Sequence, residues 1–377
     1  MKKLFTLALA AALALAASLP AFAAPELPDG KISVACSSDI FVVSPDGILV
    51  GWGADDIGML QICGVESESV ELVPDRVYLP PRVLYSERAA ILGGVRAVEG
   101  SERNIFVIMD DGGLYACGAD SFNSLAGRAP RDYSYRTSGL YNNGSPYPVK
   151  IMDDVVMVSG GFSSFAALRT DGSVWAWGRD GTTYRFYGPE KILDGCKFIY
   201  GSMAVKENGD LYVWGGNPTR YKPGRVKTGV FAAAYGFVQM ENGDLYEYDG
   251  FSGGFPEEPV AHNVRKLCPG GYITEDGALY MQLAEGEYVK LLDGGVVSAM
   301  CRPEVCIAIT EDGLVYYSVG TDRQYDDETW MRNYETLTCV GTVEDLAPEY
   351  DPPLNPWPLI LGVANKIFEL IPLLAVI

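Results

Sequence analysis

Hydrophobic and polar positions alternate along most of the chain in short runs, and the runs are punctuated by Asp-Gly or Asn-Gly. Seven segments align on the turn glycine: SPDGILVGWG (Gly47), MDDGGLYACG (Gly112), RTDGSVWAWG (Gly172), KENGDLYVWG (Gly209), MENGDLYEYD (Gly243), TEDGALYMQL (Gly277) and TEDGLVYYSV (Gly313). Two residues after the glycine stands Leu49, Leu114, Val174, Leu211, Leu245, Leu279 or Val315, followed by Val50, Tyr115, Trp175, Tyr212, Tyr246, Tyr280 or Tyr316. Adjacent strand residues face opposite sides of a sheet. One column is therefore aliphatic and the other almost wholly aromatic, as expected of a sheet wedged between two neighbours. Four residues before the glycine lie Val43, Ile108, Leu168, Val205, Gln239, Ile273 and Ile309, apolar except for Gln239. Asp-Gly and Asn-Gly between such runs predict two-residue type I′ hairpins, which need φ > 0 at both central residues.

Upstream of most hairpins runs a further apolar strand introduced by proline: Pro148-Val149 with Val155 to Val158, Pro189 with Ile192 and Leu193, Pro259-Val260 with Val264. The turn glycines are spaced 65, 60, 37, 34, 34 and 36 residues apart. The first two units carry insertions, and the later ones sit near the minimum for four strands, where a strand is easily lost. One such sheet cannot bury both faces alone, whereas sheets stacked radially close into a ring with protected edges. The predicted fold is an all-β, seven-bladed β-propeller of degenerate repeats over residues 31–346. Lys31 to Ala35 and Thr336 to Leu346 are expected to complete one blade together.

The repeat resembles that of the regulator of chromosome condensation family, whose units carry Leu-x-x-Asp-Gly-x-Val-Trp-x-Trp-Gly followed by a Gly-x-Leu turn. The matching stretches are Ala167 to Gly178 (ALRTDGSVWAWG) and Pro45 to Leu60 (PDGILVGWGADDIGML). In the units on Gly243, Gly277 and Gly313 the trailing Trp-Gly is lost. The resemblance implies a binding scaffold: such propellers hold chromatin proteins and small GTPases in eukaryotes, and an exported bacterial relative inhibits a β-lactamase.

The two ends read differently from the repeats. Met1 to Ala23 has a Lys2-Lys3 n-region, an apolar core from Leu4 to Ala17 and an Ala21-Phe22-Ala23 cleavage site, the pattern of a secretory signal. A secreted or cell-surface location follows. Residues 347–358 are a Pro-rich spacer, and 359–377 form an apolar helix with Asn365, Lys366 and Glu369 on one face. That face favours docking on protein or contact with a membrane surface over spanning. A net charge of -20, with 49 acidic against 29 basic residues, argues against nucleic acid, because binding to phosphates needs a basic footprint.

Little in the chain suggests catalysis. His262 is the single histidine, which removes most nucleophile–base pairs and histidine metal cages. It reads as a loop residue. Gly250-Phe251-Ser252-Gly253-Gly254 matches a nucleophile elbow, yet Phe255 to Pro259 follows where a helix is required. Without a CxxC pair among the eight Cys there is no zinc ribbon. Cys117 stands where Trp52, Trp177, Trp214 and Tyr248 stand in other units, so it reads as a buried thiol; Cys301 and Cys306 flank a four-residue loop that a disulfide would close. The acidic pairs Asp55-Asp56, Asp110-Asp111, Asp153-Asp154 and Asp326-Asp327-Glu328 read as solvated loop acids. No enzyme activity, cofactor or metal is expected.

The insertion Arg128 to Pro148 sets Tyr133, Tyr135, Tyr141 and Tyr147 among Ser, Gly, Asn and Arg, a composition like that of an antibody paratope. Tyr184, Phe186 and Tyr187 occupy the corresponding place in the next unit. These seven are the candidate binding residues, with a protein as partner. The alternative is a carbohydrate-binding or carboxylate-based glycan-active protein using the same loops.

Overall fold

In the computed structural model, the described residues lie between 32 and 342. The larger stretches outside them are 1–31, 53–88, 128–143, 215–222, 249–255, 320–336 and 343–377. The predicted export signal, spacer and C-terminal helix therefore fall outside the described residues. Among those residues, no helix is long and apolar enough to cross a membrane.

The chain forms antiparallel sheets, each built from consecutive strands. In chain order they span residues 32–92 (sheet 1), 95–152 (sheet 2), 155–193 (sheet 3), 196–227 (sheet 4), 230–247 (sheet 5), 264–292 (sheet 6) and 296–342 (sheet 7). The first strands, Ile32–Ala35, Val95–Gly100, Val155–Gly160, Cys196–Tyr200, Val230–Ala234, Val264–Cys268 and Val296–Arg302, touch one another in succession, and the last returns to the first. The sheets thus radiate from one axis as in a β-propeller.

Two expectations are corrected. Among the described residues six sheets are complete four-stranded blades rather than seven, because sheet 5 has three strands there. Its fourth place holds a single bridge between Leu245 and Ala261, made by Leu245 N–H to the Ala261 carbonyl (2.9 Å) and Val260 N–H to the Leu245 carbonyl (2.8 Å). Pro256 and Pro259 lie in the segment that would pair, and proline has no N–H to give a ladder. Among the described residues the two ends also share no blade: sheet 1 takes all its strands from the N-terminal side and sheet 7 from the C-terminal side, and their first strands, Ile32–Ala35 and Val296–Arg302, are in contact.

The core is a series of wedge-shaped junctions. The aliphatic column Leu49, Leu114, Val174, Leu211, Leu245, Leu279 and Val315 is fully buried. Each such side chain stabilises the fold by about 1.5–3 kcal/mol relative to exposure. Phe41, Val43 and Leu49 of sheet 1 pack on Val95, Ile105 and Cys117 of sheet 2. The same arrangement recurs at the next five junctions. A hydrogen bond repeats with it: the turn-glycine carbonyl accepts the N–H of the first residue of the next sheet, from Gly47–Val95 (2.8 Å) through Gly112–Val155, Gly172–Cys196, Gly209–Val230 and Gly243–Val264 to Gly277–Val296 (3.0 Å).

The turns differ from the type I′ expectation. Positive φ falls on the glycine, from 75° at Gly172 to 83° at Gly112 and Gly243, and not on Asp111, Asp171, Asn208, Asn242, Asp276 or Asp312. Gly112 N–H donates to the Met109 carbonyl and Met109 N–H to the Gly113 carbonyl, both at 2.9 Å. That is a three-residue loop, a type I turn closed by a left-handed glycine. The aromatic column also departs from expectation. Tyr115 is buried, but Trp175, Tyr212, Tyr246, Tyr280 and Tyr316 are half-buried. Lys206 lies 4.9 Å from the Tyr212 ring centre, Lys227 5.6 Å from Tyr246, Lys290 5.6 Å from Tyr280 and Arg169 5.9 Å from Trp175. Cations lie beside these rings, and Tyr280 also packs on the sheet 5–sheet 6 cluster.

Candidate interaction surface

Antiparallel strands divide the connections between two rims. One rim carries the Asp-Gly and Asn-Gly turns and the links from sheet to sheet. Its acids are paired or solvated: Asp153 meets Lys150 (2.7 Å) and Asp154 meets Arg169 (2.6 Å), while Asp110 and Asp111 are exposed. The opposite rim carries the connections from first to second strand and from third to fourth strand. On that rim end the third strands Leu114–Ala119 of sheet 2 and Val174–Arg179 of sheet 3.

The root of this surface is built by the turn at 123–127. Leu125 is fully buried in the junction of sheets 2 and 3, beside Phe106, Phe165 and Trp177. The Leu125 N–H donates to Asp120 Oδ1 (2.9 Å), and the Trp177 indole N–H donates to the Ser124 carbonyl (2.9 Å). Asn123 Nδ2 donates to the Tyr187 carbonyl (2.7 Å), which ties the sheet 2 connection to the start of Phe186–Leu193 in sheet 3. Burial pushes the Asp120 carboxyl above its ordinary value, partly offset by the Leu125 N–H. Asn123 and Ala126 both take positive φ here. Sequence reasoning did not single out Asp120, Asn123 or Ser124; the available signal was the polar run before Leu125.

Of the candidate binding residues, Tyr187 lies in sheet 3, half-buried, with its ring packed on the sheet 2–sheet 3 cluster. Tyr147 and Phe186 lie in the strands Gly144–Met152 and Phe186–Leu193. Tyr133, Tyr135, Tyr141 and Tyr184 fall outside the described residues. Elsewhere, His262 is exposed, with Nδ1 2.6 Å from Asp244 Oδ1. That contact holds the Asp244 carboxyl below its ordinary value. Cys117, Cys196, Cys268, Cys301 and Cys306 are buried thiols and Cys339 is exposed. Among the described residues no group of three or more His, Cys, Asp or Glu is placed to hold a metal. Residues 249–255, with the Gly-x-Ser-x-Gly match, fall outside the described residues.

No family model matches the chain. A curated relative, the guanine nucleotide exchange factor SRM1 of Saccharomyces cerevisiae, is 29% identical over 155 residues, which is 38% of this chain and 29% of that protein. Over that stretch the chain is similar to this exchange factor. The match spans less than a third of the yeast protein's length. Among solved structures, yeast RCC1 (Prp20) bound to Kap60 is 16% identical with a TM-score of 0.44, over 82% of this chain and 74% of the other. Human WBSCR16 is 20% identical with a TM-score of 0.43, over 84% and 83%. In sheet 3, Trp177 of the trailing Trp-Gly anchors the loop of the preceding sheet through the Ser124 carbonyl.

Proposed function

We propose that the protein is an exported scaffold that binds a protein partner through the rim opposite the Asp-Gly turns, centred on sheets 2 and 3. Sheet 5 acts in it as a reduced blade completing a ring of seven. The observation that carries the reading is the Asn123–Tyr187 hydrogen bond (2.7 Å), which fixes the roots of the two aromatic-rich connections beside each other. Tyr133, Tyr135, Tyr141, Tyr147 and Tyr184 then supply large contact area at low rotamer cost, with Ser, Gly and Asn adapting around them. The apolar Met1 to Ala23 leader supports export, and the acidity of the chain supports a partner other than nucleic acid.

The test is capture of a protein partner from culture medium or host extract by the intact chain, compared with the triple variant Tyr133→Ala, Tyr135→Ala, Tyr141→Ala. Capture should weaken more than about tenfold while the melting temperature is unchanged. Undiminished capture by the triple variant overturns the assignment. Binding to a glycan array, lost in the same variant, would replace the protein partner with a carbohydrate.

A further inference from the structure

We propose that Cys301 and Cys306 are oxidised to a disulfide that clips the hairpin joining the first two strands of sheet 7. Cys301 of Val296–Arg302 stands directly opposite Cys306 of Val305–Thr310. The Cys301 N–H donates to the Pro269 carbonyl of sheet 6 (2.7 Å), so it is not spent on Cys306 and the two form a non-hydrogen-bonded pair. In such pairs the Cα atoms approach to about 4.5 Å and the side chains lie closest, within the span a disulfide bridges. The sulfurs are 3.0 Å apart as thiols.

The surroundings decide when the bond forms. Both cysteines are buried, and Pro269-Gly270 seals them: a Cβ at Gly270 would lie only 1.8 Å from the Cys301 carbonyl oxygen. The Cys306 thiol beside it, together with burial, holds the Cys301 thiol well above its ordinary value, so little nucleophilic thiolate exists in the folded protein. Oxidation therefore belongs to folding, before sheet 6 docks. The two thiols lose two protons and two electrons as the S–S bond forms, and a small-molecule disulfide such as oxidised glutathione accepts them and becomes two thiols. Export from a reducing cytoplasm would supply such an oxidant; the geometry stands without it. The rival partner is Cys268, a third buried sulfur in the same junction.

The experiment refolds the full chain in mixed reduced and oxidised glutathione, alkylates free thiols in denaturant, and cleaves after Glu304, between the two cysteines. The expected result is a pair of peptides held together until a reductant is added, with Cys268 alkylated, and the same linkage in Cys268→Ser. Alkylation of both Cys301 and Cys306 without reduction, or a linkage through Cys268, overturns the proposal. Because the wild-type chain is mapped directly, the outcome does not depend on a Cys301→Ser variant folding.

Discussion

Asp171 shows what the residue before each turn glycine contributes. Its Oδ1 accepts the Ser173 N–H (2.9 Å) and the Ser173 hydroxyl (2.5 Å), and Asp111, Asn208 and Asn242 accept the matching N–H in their own turns. Asp and Asn are thus selected as acceptors for the N–H two residues on. Asp171→Ala should destabilise by about 1 kcal/mol and Asp171→Asn by much less, read from denaturant midpoints. The two serine bonds hold the Asp171 carboxyl below its ordinary value, and threonine hydroxyls do the same for Asp276 and Asp312. Their stabilisation is complete above the ordinary carboxylate pKa of about 4 and is lost as pH falls through the folded values. Asp171→Asn should therefore flatten the acid side of the stability profile. Asp120 behaves oppositely. Its folded pKa is raised, so its contribution favours the fold below the ordinary value and is lost as pH rises through the folded one. Asp120→Asn, which keeps an acceptor for Leu125, should raise the melting temperature at pH 7 and leave it unchanged near pH 3. The sequence made the Asp/Asn-Gly register legible but not its mechanism, because a dipeptide does not distinguish a side-chain acceptor from a left-handed backbone.

Sheet 5 is the element in which repeat and structure part. The aliphatic column runs through it unbroken at Leu245, so its existence was legible, but its fourth strand depends on backbone donors that the periodicity of side chains does not report. Gln239 marks the same sheet: it is buried and donates Nε2 to the Val264 carbonyl across the junction with sheet 6 (2.6 Å). Amide exchange should be faster in Leu245–Glu247 than in the equivalent third strand of sheet 3, Val174–Arg179, which has a full partner strand on each side. Equal protection in the two would show that sheet 5 is completed in solution. The turn glycines also differ in what surrounds them. A Cβ on Gly277 would meet the Gly295 nitrogen at 2.5 Å, whereas one on Gly172 comes no nearer than 3.4 Å, to the Cys196 carbonyl. Both positions carry the left-handed penalty of about 1–2 kcal/mol, and Gly277→Ala should cost clearly more than Gly172→Ala in a thermal melt.

At the scale of the whole molecule, the described sheets are joined by six equivalent junctions in sequence, and the first strand of the last sheet contacts the first strand of the first. Repetition made the propeller legible in the sequence. The manner of closure was not, because a strand shared between the ends and two separate sheets in contact demand the same apolar residues from Ile32–Ala35 and Thr338–Thr342. The candidate surface was legible only by composition, while the contacts at its root, Asn123 on Tyr187 and Trp177 on Ser124, join residues 64 and 53 positions apart. Small-angle X-ray scattering of the intact chain tests the closed ring most directly. A compact fold of the 377-residue chain should give a radius of gyration of about 21 Å and a single-peaked distance distribution. A markedly larger radius with an extended tail, as from an open stack whose first and last sheets lie apart, would contradict it.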